Sequence, residues 1–267
     1  MPNRLTEEYM NILRTLVRLN HFCLLLFMTS IFYAGFSYAS YTIYITSDDG
    51  SLRGTENVVA VMTKEKIPVT MFMVGLHYDS SSWSKDIVSL AKKSPFIQIG
   101  NHSYSHAHNR YQQFYRDIPS VINDLKKNND TLGLKGSHID TRLPGRNVFR
   151  LPNLTRDDPY ISKQEDQVEK IDDDAIYKND FYLYGWDLEW THYNNGCPIQ
   201  SVEHLVEEID AKFAKKDTAL PNKLILLMHD EMFQDCFNGK ENLQNLINAL
   251  RKKNYKFDFI RNYNNSR

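Results

Sequence analysis

Two adjacent carboxylates, Asp48 and Asp49, end the alternating apolar run Tyr41–Thr46, and Gly50 follows at once. Like charges side by side repel unless positive charge lies between them. The pair therefore reads either as an ordinary Asx turn or as one edge of a cation site. In the second reading the two divide the work, because neighbours leaving a strand point to opposite sides. One binds the cation and the other takes a proton from water, with Gly50 permitting the tight turn that brings both to one pocket. Further on, "NHSYSHAHN" sets His102 and His106 four apart, a spacing that shares one face of a helical turn. Imidazoles so placed suit zinc, copper, iron or nickel, with a carboxylate as third ligand and a position left for water. His108 is one histidine too many and is expected outside the ligand set.

Three later stretches carry further chemistry. In "TRLPGRN", Arg142 can pair with a carboxylate and orient it, Pro144 stiffens the loop, and a backbone N–H after the proline can face an oxyanion. In "LYGWDLEWTHY", an extended chain would put Asp187 and Glu189 on one face and Trp186 and Trp190 on the other. An aromatic beside a carboxylate makes a wall suited to a sugar. The apolar run "KLILLMHDEMF" ends in His229, which is either a packed core imidazole or a general acid facing an Asp base.

Positioning such groups requires a scaffold. β-rich runs are expected at Tyr41–Thr46, Val69–Val74, Phe96–Ile99, Phe181–Trp186, Lys223–Met228 and Lys256–Ile260. Helical patterns lie between them at Glu56–Lys66, Ser84–Lys93, Tyr111–Asn128, Val202–Lys215 and Glu241–Lys253. The alternation predicts an α/β fold with a mainly parallel sheet or barrel. Asp48 and Asp49, His102, Glu189 and His229 each fall just after a strand, where parallel α/β folds gather their sites. Residues 151–179 are polar and aperiodic, and read as an excursion from the core.

The 267 residues, with 32 Lys and Arg against 33 Asp and Glu, suit one globular domain and give no basic excess for nucleic acid. Arg14 and Arg18 precede the uncharged run "HFCLLLFMTSIFYAGF", and Ser37 and Ala39 have the spacing of a cleavage site. Residues 1–39 are thus expected to be a signal peptide, or an uncleaved anchor, which is the one case that implies a membrane. Either way the protein is expected to be exported, to the periplasm, the cell envelope or beyond. Cys197 and Cys236 remain in the mature chain, and in an oxidising compartment such a pair suggests a disulfide, two separate thiols being the alternative.

Taken together and in this order, the clusters resemble the polysaccharide deacetylase family with the NodB-homology domain, carbohydrate esterase family four. The matching stretches are Ser47-Asp48-Asp49-Gly50, His102-Ser103-Tyr104-Ser105-His106, Arg142-Leu143-Pro144, Glu189-Trp190 and Leu227-Met228-His229, within a span from Thr42 to about Ile260. The resemblance implies a distorted (β/α) barrel of mainly parallel strands over residues 40–267. It also implies a divalent metal held by Asp49, His102 and His106, zinc first, with cobalt, nickel or manganese as alternatives. Asp48 would be the base, oriented by Arg142, and His229 the acid that protonates the leaving amine, supported by Glu189. Trp190 and Leu227 would line the acyl pocket, with Trp186 as a further wall. The chain departs from the pattern in three places. Ser47 stands where an aromatic is usual and is expected to alter the pocket wall. Gly145-Arg146 follows Pro144 directly, making the Gly145 N–H the oxyanion donor and Arg146 a contact for an anionic substrate. The fourth motif is one residue short, so Asp187 is an alternative to Glu189.

The expected activity is metal-dependent removal of N-acetyl groups from the amino sugars of a peptidoglycan, surface polysaccharide or lipid-linked glycan. The alternatives are a deformylase or amidase acting on a lipid-linked sugar, and a metal-containing glycan-binding module without turnover.

Overall fold

The computed structural model describes residues 40–161 and 172–264. The leader expected at residues 1–39 lies outside the described residues. β1 spans Thr42–Gly50, β2 Val69–Met73, β3 Ile97–Asn101, β4 Ile139–Thr141 and β5 Phe149–Leu151. β6 spans Leu154–Arg156, β7 Phe181–Leu183, β8 Leu188–Glu189, β9 Lys223–His229 and β10 Lys256–Phe257. They form one curled sheet in the order β6-β5-β7-β4-β3-β2-β1-β9-β8, with β10 also on β1. All pairings are parallel except those of the short β5, which runs against β6 and β7. The mainly parallel sheet is the one that the strand and helix alternation predicts, and its curl agrees with the distorted barrel that the resemblance implies.

β1 is the axis of the sheet. Its interior residues Ile43, Tyr44 and Ile45 are buried, as continuous apolar runs in parallel strands must be when both faces are covered. The helices Thr55–Glu65, Val202–Ala214 and Gly239–Lys252 share one apolar core with β1, β2 and β9. Leu243, Leu246, Ile247 and Leu250 of the last helix are fully buried at helical spacing, each contributing about 1.5–3 kcal/mol of burial. One long helix expected at Tyr111–Asn128 is instead two, Tyr111–Phe114 and Ile118–Leu132. Asp117 accepts the Ser120 amide as an N-cap, and Pro119, unable to continue the first helix, opens the second. Within 151–179 the described residues include β6, which closes a hairpin with β5, and the turn of helix Asp173–Tyr177.

Cys197 and Cys236 are free thiols, so the expected disulfide is absent. Cys197 turns its sulfur toward the neighbouring Pro198 carbonyl, and Cys236 is exposed in a separate short turn. Among the described residues no helix is long and apolar enough to cross a membrane.

A candidate metal centre at the strand ends

A cleft of about 500 Å³ opens at the carboxyl ends of the parallel strands. Asp48 and Asp49 reach it from β1, and His102 and His106 from the loop after β3. Leu143, Gly145 and Arg146 enter after β4, while Trp186 and Glu189 come from around β8 and Leu227 and His229 from β9.

The two carboxylates reach one pocket because β1 bulges. Its register with β2 passes from Asp48↔Phe72 to Gly50↔Met73, so Asp49 is the extra residue, and it takes a left-handed φ of 71°. Such a conformation costs a non-glycine residue roughly 1–2 kcal/mol, and strain of this kind collects at functional sites. The freedom expected of Gly50 belongs to Asp49 instead. Gly50 is required for another reason: a Cβ there would fall 2.3 Å from Met73 Sδ and 2.6 Å from Asp230 Oδ2.

The histidine pair also converges differently from expectation. No helical turn carries it. Ser103 has φ 65°, and His106–Asn109 form a left-handed turn with φ between 48° and 58°. Asp124 on the helix Ile118–Leu132 ties this loop down, its Oδ2 accepting the Tyr104 and Ser105 amides at 2.8 and 3.1 Å. Asn101 Oδ1 accepts the Ser103 amide at 2.7 Å. His108 is exposed, outside the cluster, as expected.

The chemistry of the donor set fits a cation. His102 donates its Nδ1–H to the Arg142 carbonyl at 2.7 Å, and His106 Nδ1 lies 3.1 Å from Asn109 Oδ1. A proton on each Nδ1 leaves both Nε2 lone pairs aimed at Asp49 Oδ1, 3.2 and 3.1 Å away. That oxygen is buried without a hydrogen bond. Asp49, His102 and His106 form the only such candidate cluster among the described residues. Burial alone would raise the Asp49 carboxyl; the two imidazoles, when protonated at Nε2, bond and attract it, outweigh the burial and hold the group well below the usual carboxylate range. Burial works against a proton on His102, yet the Asp48 and Asp49 charges raise it.

Asp48 is held apart from this cluster by Arg142. The guanidinium is fully buried and gives Nη1 to Asp48 Oδ1 at 2.9 Å and to Thr46 Oγ1 at 2.8 Å. Its other nitrogens bond the Tyr184 and Gly185 carbonyls, and its plane lies over Phe72. One Asp48 oxygen is thereby fixed, and the other lies 3.7 Å from His102 Nε2. On the neighbouring strand β9, burial lowers His229, and its Nδ1 sits 4.0 Å from Glu189 Oε1.

Asp187 and Trp190 are not in the cleft. The chain bends at Asp187, which breaks the alternation expected of an extended strand. Asp187 turns inward to accept the Ala219 and Ile225 amides at 2.7 and 2.8 Å. Trp190 is buried edge-to-face on Phe233 and donates to the Gln200 carbonyl. Of the two carboxylates weighed as the support of His229, Glu189 is the one in reach. Arg146 lines the cleft with its guanidinium over the Tyr115 ring, and Gly145 stands beside it at φ 65°. Ser47 does not alter the wall: it is buried and donates its hydroxyl to Asp230.

Several residues at the site escaped the sequence reading. Tyr111, Asp158 and Tyr160 line the mouth, Tyr160 being 78% exposed. His192 meets the His229 ring edge-to-face at 4.8 Å and lies 3.4 Å from Glu231. His77 and Asp230 stand directly behind the carboxylate pair. A histidine just past the end of β2 and an acid following His229 were the available signals.

Residues 38–167 match the family model described as polysaccharide deacetylase. A chitin disaccharide deacetylase of Vibrio alginolyticus is 21% identical over 83% of this chain and 71% of its own. Among solved structures, a CE4 esterase of Streptococcus mutans superposes with a TM-score of 0.58 at 19% identity, covering 82% of this chain and 86% of its own. The catalytic domain of a peptidoglycan N-acetylglucosamine deacetylase from Eubacterium rectale gives 0.57 at 21%, over 82% and 88%. At these identities the structural likeness concerns the fold.

Proposed function

We propose that this chain, whose residues 38–167 match the polysaccharide deacetylase family model, is a hydrolase removing N-acetyl groups from the amino sugars of a cell-envelope or surface glycan. One arrangement carries the reading. Asp48, pinned by Arg142, borders the Asp49–His102–His106 cluster, and His229, its register partner on β9, lines the same cleft.

Asp49, His102 and His106 would hold a divalent cation, zinc first, which when bound polarises the amide carbonyl and acidifies water. Asp48 is the base: the bond from Arg142 fixes one oxygen, and the other is left to take the proton of the attacking water. The Gly145 N–H would meet the oxyanion as the carbonyl carbon becomes tetrahedral. His229, entering the step as an imidazolium steadied by the Glu189 carboxylate, then gives its proton to the departing nitrogen and is left neutral. Leu227 contacts the acyl methyl, while Trp186 and Tyr160 offer faces to the sugar. The products are acetate and a free amine. The apolar run and small residues before Tyr41 support an exported enzyme, with residues 1–39 as its leader or anchor.

Acetate release from N-acetylated chitooligosaccharides and peptidoglycan tests the assignment. Asp48→Asn is expected to lose about 10²–10⁴-fold in kcat while zinc stays bound. Undiminished turnover in that variant overturns the proposal.

A further inference from the structure

The bulge that delivers Asp49 leaves its own backbone outside the sheet. Pairing of β1 with β9 ends at Asp48↔His229, and pairing with β2 skips Asp49. The neighbouring Gly50 carbonyl is taken by the Val74 amide at 2.7 Å. The Asp49 carbonyl is taken by a side chain: His77 Nδ1 approaches it at 2.6 Å. A carbonyl oxygen only accepts, so His77 Nδ1 carries the proton. His77 sits half-buried on the helical turn Gly75–Asp79, immediately after β2, and burial lowers its pKa and favours the neutral ring. It is not itself in the ligand cluster, since its ring centre lies 6.4 Å from that of His106 and its Nδ1 is engaged with the backbone.

We propose that His77 is a positioning residue for the metal centre: its Nδ1–H holds the Asp49 peptide in the left-handed conformation that turns the Asp49 carboxylate toward His102 and His106. The inference rests on the reading of Asp49, His102 and His106 as metal ligands. The strained φ and the missing ladder partner describe one problem, a ligand carried on an unsupported peptide, and the imidazole supplies the support. A residue in this role acts on metal affinity and ligand geometry before it acts on turnover.

The test is a zinc titration by calorimetry on the wild-type protein, His77→Phe, His77→Asn and Asp49→Ala, with cobalt absorption spectra of the same set. His77→Phe keeps the ring volume and removes the donor. It is expected to weaken zinc binding by about 10–100-fold and to change the cobalt spectrum, with the melting temperature of the metal-free protein unchanged. His77→Asn, whose amide can take the place of Nδ1, is expected to recover most of the affinity. Wild-type affinity in His77→Phe, or no recovery in His77→Asn, overturns the inference. Failure of the underlying metal reading looks different: the wild-type protein and Asp49→Ala would then titrate alike.

Discussion

Asp230 shows how a residue beside the chemistry shapes it without entering the cleft. The side chain is fully buried, and its two oxygens receive the Ser47 and Thr55 hydroxyls. Burial pushes the carboxyl up to about 7, the Asp49 and Asp48 charges add to this, and the two hydroxyls oppose it. A serine at position 47 is thus explained by the acid behind it, because a large aromatic ring offers no hydroxyl at that point. The folded pKa lies above the unfolded value of about 3.9, so the contribution to stability is present below pH 4 and is lost as pH rises through 7. Asp230→Asn keeps the shape and removes the ionisation. Its urea midpoint should gain on that of the wild type between pH 5 and pH 8, and parallel pH curves for the two proteins would refute the assignment. Asp48 is the opposite case at this scale: Arg142 meets it at 2.9 Å, and its loss is predicted to appear in kcat.

At the scale of elements, the end of β1 decides the site. The bulge at Asp49 lies directly over Met73 and Asp230, and Gly50 is the one place where the chain yields room for both. Met73 can move its flexible end, but Asp230 is held by two hydroxyls. Gly50→Ala is therefore expected to cost about 1–3 kcal/mol, as overpacking does, and to lower zinc affinity by displacing the bulge. Urea denaturation within about 0.5 kcal/mol of the wild type would show that the site relaxes without cost. Much of this element was legible in the sequence. The apolar alternation located β1, and the long runs of β2 and β9 followed from their β-branched and aliphatic residues. The bulge was not, because a one-residue register shift leaves no mark on periodicity. The same limit hid the bend at Asp187, which sends Trp190 into the core and leaves Trp186 on the cleft. The strands β4, β5 and β8, two or three residues long, are too short to carry a period at all. The break before Ile118 was readable in Asp117 and Pro119, yet the apolar spacing continuing across it suggested one helix.

The molecule as a whole is a curled sheet whose strand ends supply one cluster from separate elements. Asp49 arrives on β1 and the histidines on the loop after β3, while Arg142, just after β4, reaches back to Asp48. A cation at the cluster therefore binds parts of the chain that unfolding separates, and binding becomes linked to global stability. Saturating zinc at 100 times its dissociation constant corresponds to about 2.7 kcal/mol, or roughly 5–10 °C in melting temperature for a domain of this size. The ligands must be deprotonated to bind, and the Asp48 and Asp49 charges raise His102 against its burial, so protons compete with zinc at this imidazole. The sign follows: the zinc-induced increment should be largest near pH 8 and shrink as pH falls toward 6. Thermal melts with zinc and with chelator at each pH measure it, with Asp49→Ala as the variant expected to show no increment at any pH. An increment that persists in Asp49→Ala would place the stabilising cation elsewhere on the protein and detach the cleft from the stability of the fold.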